Sequence, residues 1–317
     1  MHSPQKIPAS HLVAIIVTYF PDIHILGQLL LALDPQVDRI LVVDNGSPNY
    51  LEAQSTSVND HTTWLSMGEN LGVAKAQNIG IAWARNQGAT HVLLLDQDSL
   101  PFPDMVSHLL SAYADLGKGN AKIAAVGPIF LDRASGQKSS FVRFGMLGKK
   151  NLQCDADTQF IPVDMLIASG SLISMATLDA VGDMDSNLFI DYVDTEWILR
   201  ARTKGYMAYG ACNALMAHEL GSRRRKVWLL RWRHVPIHRP LRFYYIFRNG
   251  FALLLRKGLP VAWKRCEIIN LIGLAVTFGL FVAPRRENIK MMTFGFRDGL
   301  KGKAGKFGDA SGKNEND

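Results

Sequence analysis

Short, uninterrupted apolar runs rich in β-branched residues constrain the fold of this chain more than any other feature. The runs at 12–19, 39–44 and 91–96 are typical of strands that are buried on both faces of a sheet. Helical patterns lie between them, which predicts an α/β fold with a mostly parallel central sheet flanked by helices. The predicted strands are 12–19, 39–44, 63–66, 91–96 and 123–129, and the predicted helices are 25–33, 74–86 and 103–116.

Polar residues end three of these predicted strands. Thr18, Asp44 and Asp96 each lie at the carboxyl end of a buried run. Ligands of open parallel sheets bind beyond the carboxyl ends of the strands. We therefore expect these three side chains to converge on one ligand-binding edge.

The sequence lacks the glycine-rich loops that commonly hold nucleotide phosphates, since neither G-x-G-x-x-G after the first strand nor G-x-x-x-x-G-K-[ST] occurs. A divalent cation is the expected substitute. Asp96-Gln97-Asp98 places two carboxylates just past a strand, and Mg²⁺ and Mn²⁺ prefer carboxylate and phosphate oxygens. The pattern predicts a cation site, and an acidic turn that caps the next helix is the alternative.

A second acidic segment, 189–200, leads into a helical pattern that Gly205 ends. Asp194 would lie near the helix N-terminus, where the helix dipole favours a carboxylate, with Glu196 in the first turn. Such a carboxylate suits a general base, and ordinary N-capping is the alternative. His218 is a candidate third metal ligand from another loop, with a structural or surface histidine as the alternative.

Charge is distributed unevenly along the chain. Residues 1–222 carry 14 Lys and Arg against 22 Asp and Glu, a net of −8, whereas residues 223–317 carry 21 against 6, a net of +15. This break predicts a catalytic domain, 1–222, followed by a basic, largely helical module, 223–300, that binds an anionic partner. Residues 301–317 are rich in Gly, Lys, Asp and Asn, which predicts a disordered tail.

The composition of the basic module favours a membrane surface over nucleic acid. Cations alternate with tryptophan and leucine at 223–233, a mixture that suits an anionic membrane interface, and no nucleic-acid recognition module accompanies it. The uncharged run 268–283 would form a helix of roughly 24 Å, short of a roughly 30 Å hydrocarbon core. A re-entrant, interfacial or buried helix is expected there; a solvated basic face beside a core helix is the alternative.

Cysteine usage and the N-terminus bear on the cellular compartment. Cys154, Cys212 and Cys266 are far apart, odd in number and without metal-ligand spacing, so no disulfide framework is expected. Residues 1–10 lack an apolar signal core. We therefore expect a reducing, cytoplasmic setting.

Several short motifs follow one another along the chain. They are VAIIVTY at 13–19, VVDNGS at 42–47, NLG at 70–72, NIG at 78–80, LLDQDS at 94–99, SGS at 169–171, the acidic segment at 189–200 and HELG at 218–221. In this order they resemble the motifs of family 2 inverting glycosyltransferases of the GT-A fold, and the resemblance covers roughly residues 10–250. Within the family the chain is most similar to bacterial rhamnosyltransferases that use dTDP-L-rhamnose to build O-antigen or related polysaccharides.

The resemblance implies a set of donor-binding residues. Asp44 would contact the nucleotide base, and Asp96 would face the ribose and the metal. The full set of implied nucleotide-sugar-binding residues is Thr18, Tyr19, Asp44, Asn70, Gly72, Asn78 and Asp96.

The resemblance also implies metal ligands and a catalytic base. Asp98 would bind the cation directly, and His218 matches the late histidine of the family. Asp194 matches the catalytic base. Val193 stands where the family often has Glu, so Asp191, three residues before Asp194, is the reserve candidate for the base.

The implied reaction is the inverting transfer of L-rhamnose from dTDP-L-rhamnose to a lipid-linked glycan, with Mg²⁺ or Mn²⁺ as cofactor. A UDP-dependent hexosyl- or galactofuranosyltransferase and a non-catalytic nucleotide-sugar-binding protein are the alternatives. The expected partners are a dTDP-sugar donor, a lipid-linked saccharide acceptor and an anionic membrane surface, but no nucleic acid. The expected location is cytoplasmic, peripheral on the inner face of the plasma membrane.

Overall fold

The computed structural model describes residues 11–57, 60–132, 136–145, 148–155, 157–218, 224–229, 231–236 and 238–308. The strands are β1 (Leu12–Thr18), β2 (Arg39–Asp44), β3 (Thr62–Ser66), β4 (His91–Asp96), β5 (Ser99–Pro101), β6 (Ile123–Asp132), β7 (Phe141–Gly145), β8 (Gly148–Leu152), β9 (Phe160–Val163), β10 (Ser171–Ser174), β11 (Met207–His218), β12 (Arg224–Leu229) and β13 (Arg231–Pro236). The helices are α1 (Ile23–Leu33), α2 (Tyr50–Gln54), α3 (Val73–Asn86), α4 (Met105–Lys118), α5 (Met175–Val181), α6 (Val193–Thr203), α7 (Pro240–Leu255), α8 (Val261–Val276) and α9 (Arg285–Leu300).

The central sheet confirms the predicted α/β architecture. Its strand order is β3-β2-β1-β4-β10-β6-β11-β5, and β9 pairs with β11. Strands β1 to β4 pair in parallel, whereas β10 runs antiparallel to β4 and β6. The register sets Thr18 opposite Asp44 and Val17 opposite Asp96, so the three predicted strand ends lie on one edge of the sheet.

Strand β1 shows why the short apolar runs become buried strands. Val13 and Ile15 pack into a core with α3, α5 and α6, whereas Leu12, Ala14 and Ile16 pack on the other face with α1 and α4. All five side chains are at most 2% exposed. Burial of each larger side chain contributes about 1.5–3 kcal/mol, so packing on both faces is what stabilises this strand most.

The C-terminal region is helical, as predicted, after a short hairpin. The basic stretch forms β12 and β13, which pair antiparallel. Helices α7 and α9 pack so closely that a Cβ at Gly295 would lie 2.3 Å from the carbonyl oxygen of Tyr244. The uncharged run 268–283 forms the second half of α8 and a π-helical turn at Thr277–Phe281. No helix in the described part of the chain is both long enough and apolar enough to cross a membrane.

The predicted disordered tail begins inside this helical region. The Phe307 backbone N–H donates a hydrogen bond to the Tyr245 hydroxyl at 2.9 Å, and its ring lies 4.4 Å from that of Tyr244. Lys303 forms an ion pair with Asp298 at 3.2 Å. The prediction of disorder is therefore wrong for 301–308, and its remainder, 309–317, lies outside the described residues.

The cysteine prediction is also wrong, because Cys154 and Cys212 form a disulfide with their Cα atoms 5.6 Å apart. The two residues are 58 positions apart in sequence. Pairing of β9 with β11 places Ala211 opposite Phe160, and this long-range contact brings the cysteines together. Cys266 is a buried free thiol. The cysteine-based argument for a reducing compartment therefore no longer holds.

Candidate active site

The turns after β1 and β2 are held together at the carboxyl edge of the sheet. The Thr18 hydroxyl donates a hydrogen bond to Asp44 Oδ1 at 3.0 Å, and the N–H groups of Gly46 and Ser47 donate to Asp44 Oδ2 at 3.1 and 2.8 Å. Thr18 and Asp44 are both fully buried. In this conformation Asp44 shapes the turn, and its contact with a nucleotide base stays a prediction.

Tyr19 presents an exposed aromatic ring beside this turn. It is 44% exposed and lies edge-to-face on Phe20, with ring centroids 4.7 Å apart. The Gln97 side chain accepts from the Tyr19 N–H at 2.7 Å and donates to the Tyr19 carbonyl at 3.2 Å. Gln97 therefore ties the loop after β4 to the loop after β1. The sequence analysis missed this role, which depends on the pairing of β1 with β4.

A pair of asparagines joins the turn after β2 to the loop before α3. Asn45 Nδ2 donates to Asn70 Oδ1 at 3.1 Å, and Asn45 Oδ1 accepts from the Leu71 N–H at 2.8 Å. The Gly72 N–H donates to Asn70 Oδ1 at 3.0 Å. Asn70 and Gly72 thus lie beside the Asp44 turn, where a nucleotide pocket is predicted.

Gly72 is also the point at which the acidic segment contacts the loop before α3. Its φ is +87°, and a Cβ there would lie 2.5 Å from the ring of Phe189, so only glycine fits without rearrangement. Asn78 makes hydrogen bonds within the protein. Its amide exchanges two hydrogen bonds of 2.8 Å with the backbone of Met184 and donates to Ser186 at 3.1 Å. Asn78 therefore supports the loop before the acidic segment, and its contact with a nucleotide stays a prediction.

Asp96-Gln97-Asp98 lies at the end of β4, as predicted. The Asp96 N–H donates to Ser169 Oγ at 3.0 Å, and that oxygen lies 2.6 Å from Ser99 Oγ. This chain of bonds anchors the turn to the segment before β10. Asp98 is partly exposed and makes no hydrogen bond or ion pair with another described residue, which leaves its carboxylate available to a ligand.

The backbone of His218 lies next to this turn. His218 is opposite Ser99 in the pairing of β11 with β5, and its side chain lies outside the described part of the chain. Among the described residues, no three His, Cys, Asp or Glu side chains form a group that could hold a metal. One available carboxylate is nevertheless a usual protein contribution to Mg²⁺, which takes its other ligands from substrate phosphates and water. The residues fit a cation that binds together with its nucleotide.

The segment 189–192, called here the strained segment, has an unusual backbone. Phe189, Asp191 and Tyr192 have φ values of +64°, +62° and +65°. The left-handed region is uncommon for residues other than glycine and costs about 1–3 kcal/mol per residue. Because such strain persists only where surrounding contacts enforce it, and because it clusters at functional sites, the segment is a strong candidate for a catalytic element.

Two buried residues of α7 enforce this backbone. Asn249 Nδ2 lies within hydrogen-bond distance of the carbonyl oxygens of Leu188, Ile190 and Asp191, at 3.0, 2.8 and 3.0 Å. The Arg248 guanidinium donates to the Leu188 carbonyl at 2.8 Å. Both side chains are 1% exposed. The sequence analysis missed them, although a polar pair inside an aromatic-rich helix was a usable signal.

Asp194 is the second residue of α6. Its Oδ1 accepts from the Thr195 N–H at 2.6 Å, and its Oδ2 accepts from the Ala168 N–H at 3.3 Å. Tyr192 occupies the N-cap position, and Asp194 is a first-turn acid that accepts from a first-turn N–H, as the capping alternative expects. Burial raises the pKa of the Asp194 carboxyl, against the opposing effect of these hydrogen bonds, and the charge of Asp191 raises it further.

Asp191 and Glu196 are engaged in ion pairs. Asp191 lies 2.9 Å from the Arg242 guanidinium of α7. Glu196 is fully buried and pairs with Arg200 at 2.9 Å and with Arg256 at 2.5 Å. Both acids therefore help to fasten α6 and the strained segment to the rest of the protein, which leaves Asp194 as the stronger candidate base.

A cavity of about 330 Å³, the acceptor cavity, opens at Asp194. The Tyr192 hydroxyl donates to Glu267 Oε1 at 2.5 Å, and Asn270 donates to the same oxygen at 3.2 Å. Burial raises the pKa of Glu267. The basic C-terminal region thus supplies one wall of the cavity, formed by His238, Ile246, Trp263, Glu267, Asn270 and Leu274.

Known proteins with similar sequences are glycosyltransferases. The model of "Glycosyl transferase family 2" matches residues 14–165. The chain is 33% identical over 304 residues to the dTDP-rhamnosyl transferase RfbF of Shigella flexneri, covering 93% of this chain and 97% of that protein. It is 26% identical over 278 residues to the galactofuranosyltransferase GlfT1 of Mycolicibacterium smegmatis, covering 84% and 89%.

Two solved structures share the fold. The structure of GalNAc-T7 with UDP, GalNAc and Mn²⁺ has a TM-score of 0.55 at 12% identity and covers 82% of this chain; the chain spans 54% of that protein's length. The structure of S. aureus TarS 1–349 with UDP-GlcNAc has a TM-score of 0.51 at 13% identity, with 92% of each chain covered. At these identities the similarity concerns the GT-A fold. With a match to the family model and 33% identity to RfbF along nearly its whole length, the chain belongs to glycosyl transferase family 2.

Proposed function

We propose that this glycosyltransferase is a metal-dependent, inverting enzyme that transfers L-rhamnose from dTDP-L-rhamnose to a lipid-linked glycan, in the synthesis of a cell-surface polysaccharide such as O-antigen. Similarity to RfbF supports the choice of donor. The observation that carries the reaction is Asp194, a half-buried carboxylate with a raised pKa that borders a cavity of about 330 Å³.

In the proposed mechanism Asp194 takes the proton of an acceptor hydroxyl. The acceptor oxygen bonds to the anomeric carbon of the donor while the bond from that carbon to the diphosphate breaks, and dTDP leaves with the electron pair. A single displacement inverts the anomeric configuration. A raised pKa suits this role, because a base whose pKa lies nearer the working pH holds the transferred proton more strongly.

Asp98 and His218 are the proposed ligands of Mg²⁺ or Mn²⁺, which would neutralise the charge that develops on the departing diphosphate. Support comes from the available carboxylate of Asp98 and from the strand register that puts His218 opposite Ser99. Thr18, Tyr19, Asp44, Asn70, Gly72 and Asp96 are proposed to form or support the nucleotide pocket on the same edge.

The acceptor is proposed to enter the acceptor cavity from the side of the C-terminal helices. Residues 240–308 carry 13 Lys and Arg against 3 Asp and Glu, and their helices expose several large apolar side chains. This combination supports a peripheral position on an anionic membrane. We place the protein on the cytoplasmic inner face of the plasma membrane, although the Cys154–Cys212 disulfide does not favour a reducing compartment.

The test is Asp194→Asn in the purified protein, assayed for dTDP release with dTDP-L-rhamnose and acceptor. We expect kcat to fall by about 10²- to 10⁴-fold, because a general base is lost, while calorimetry shows unchanged donor binding. Asp191→Asn is the matched control, and its kcat should fall less. Turnover of Asp194→Asn within a few-fold of wild type would exclude it as the base.

A galactofuranosyl donor is the second candidate, favoured by the similarity to GlfT1. Wild-type turnover measured side by side with dTDP-L-rhamnose, UDP-galactofuranose and UDP-glucose separates the two. Preference for either UDP-sugar would replace the rhamnosyl assignment. Donor binding without transfer or hydrolysis of any of the three would point to a non-catalytic nucleotide-sugar-binding protein.

A further inference from the structure

A second cavity, called here the apolar cavity, lies between α7, α8 and α9 and has no part in the proposed reaction. Its volume is about 460 Å³, within the range of about 300–1,000 Å³ that is typical of small-molecule sites. Among the described residues the lining is apolar except for Thr293, and it includes Phe247 and Phe251 from α7, Leu271 and Ile272 from α8, and Phe296 from α9.

Helix α8 separates the apolar cavity from the acceptor cavity. Glu267 and Asn270 line the acceptor cavity, whereas Leu271 and Ile272 line the apolar cavity. A helix with its side chains is only about 10–12 Å across. A ligand with a polar end and an apolar end could therefore reach both cavities around one helix.

The mouth of the apolar cavity faces outward, and the helices that form it belong to a part of the chain that is rich in Lys and Arg. Ile272 is 59% exposed, and Ile289 and Phe296 are 47% and 41% exposed. Exposed apolar patches of this kind mark binding sites. Because residues 240–308 have 13 cationic against 3 anionic side chains, an apolar ligand that carries an anionic group has complementary charge.

We propose that the apolar cavity binds the hydrocarbon chain of the lipid-linked acceptor, so that the sugar of the same molecule reaches the acceptor cavity across α8 while the anionic head stays outside that acid-lined cavity. This site rests on the proposed function, because it requires an acceptor that carries a lipid. Burial of the chain supplies affinity, whereas the polar groups around Glu267 orient the sugar.

The experiment measures binding of farnesyl diphosphate to the full chain by calorimetry, with inorganic diphosphate as the head-group control. Two variants are compared, Ile272→Gln and Ile269→Gln. Both residues lie on α8 and are exposed, 59% and 66%, but Ile269 does not line the cavity. We expect Ile272→Gln to weaken binding about ten-fold, because it places a polar group against the chain, and Ile269→Gln to stay within two-fold of wild type.

Several results would overturn the site: wild-type affinity for farnesyl diphosphate no higher than for diphosphate, equal losses in both variants, or a dimer that Ile272→Gln dissociates. Equal losses would indicate a general membrane-facing surface, and a dimer would assign the cavity to a second copy. Thermal melts establish that both variants are folded. A photoreactive isoprenoid diphosphate provides an independent measurement on wild-type protein. We expect adducts on peptides that contain Phe251 and Phe296, and adducts on other peptides would contradict the site.

Failure of this site is distinguishable from failure of the proposed function. Rhamnosyl transfer to a soluble saccharide without a lipid, combined with no binding of farnesyl diphosphate, would remove the site and keep the function. Binding of farnesyl diphosphate by a protein that transfers no sugar would remove the function and keep a lipid-binding site.

Discussion

The donor side and the acceptor side of the candidate site are built in different ways. On the donor side, Thr18 and Asp44 end neighbouring strands, and Gln97 and Asn70 lie in loops that follow strands of the same sheet. Their hydrogen bonds join these elements at one edge of the sheet. On the acceptor side, the strained segment is held by Asn249, which is 58–61 residues away from its partners in sequence. The C-terminal helices are therefore part of the site and not an appendage to it.

This difference has a kinetic consequence. The donor side consists mainly of side chains that stabilise ordinary turns, so changes there should act on the nucleotide and its cation. The acceptor side stores backbone strain next to Asp194, so changes there should act on the position of the base. Variants of the two sides are expected to move different kinetic constants.

After the loss of the base in Asp194→Asn, the largest effect is expected on the donor side. Asp98→Asn should lower kcat by about 10²- to 10³-fold and abolish stimulation by Mn²⁺, because the diphosphate loses the ion that stabilises it as it leaves. The measurement is turnover against Mn²⁺ concentration. Asp104→Asn, an exposed acid at the start of α4, is the control. An unchanged metal response in Asp98→Asn would remove Asp98 from the metal site.

The next effect tests the acceptor side. Asn249→Ala removes the donor to the carbonyls of Leu188, Ile190 and Asp191, and unsatisfied buried groups cost about 1–3 kcal/mol each. We expect kcat to fall about 10- to 100-fold while KM for the donor stays within two-fold.

The matched control is Asn288→Ala. Asn288 is equally buried and donates to the carbonyls of Phe278 and Val282 inside the helical bundle. It should lower the melting temperature without lowering kcat. If both variants lose stability but neither loses turnover, Asn249 has a purely structural role.

A smaller effect is expected from pH. Burial raises the pKa of Asp194 above its ordinary value of 3.8, and only the ionised form can act as a base. Below that raised pKa, kcat should fall about ten-fold per pH unit, and Asp194→Asn should show no such limb. A pH profile of kcat with saturating donor checks this. The same acid limb in Asp194→Asn would assign the titration to another group.

The smallest effect concerns stability. A carboxyl whose pKa is raised on folding binds its proton more tightly in the folded state, so it favours folding at acid pH and loses that contribution as pH rises through the raised pKa. At pH 7 the ionised Asp194 therefore lowers the free energy of unfolding. Asparagine does not ionise and avoids this loss. We expect Asp194→Asn to raise the melting temperature by about 1–3 °C at pH 7, with the difference shrinking at acid pH. A lower melting temperature at pH 7 would contradict it.

The sequence identified the polar strand ends that share one edge of the sheet because their signals are local. A strand buried on both faces is visible as an apolar run, and its end is visible as the first polar residue, as at Thr18, Asp44 and Asp96. The same local view did not reveal the partners of Asn78, which are Met184 and Ser186. It also failed at Cys154 and Cys212, which strand pairing brings together.

The amino-acid sequence alone determined the α/β class and the polar ends of its strands, and it nominated Asp194 as the candidate base. Only the tertiary structure decided what surrounds that base: Arg248 and Asn249 on the strained segment, Glu267 on Tyr192, and an apolar cavity on the far side of α8. The physical reason is the distance in sequence between the residues that interact. Strand and turn formation depend on neighbouring residues, whereas the burial of a polar side chain against a distant carbonyl depends on how whole helices pack.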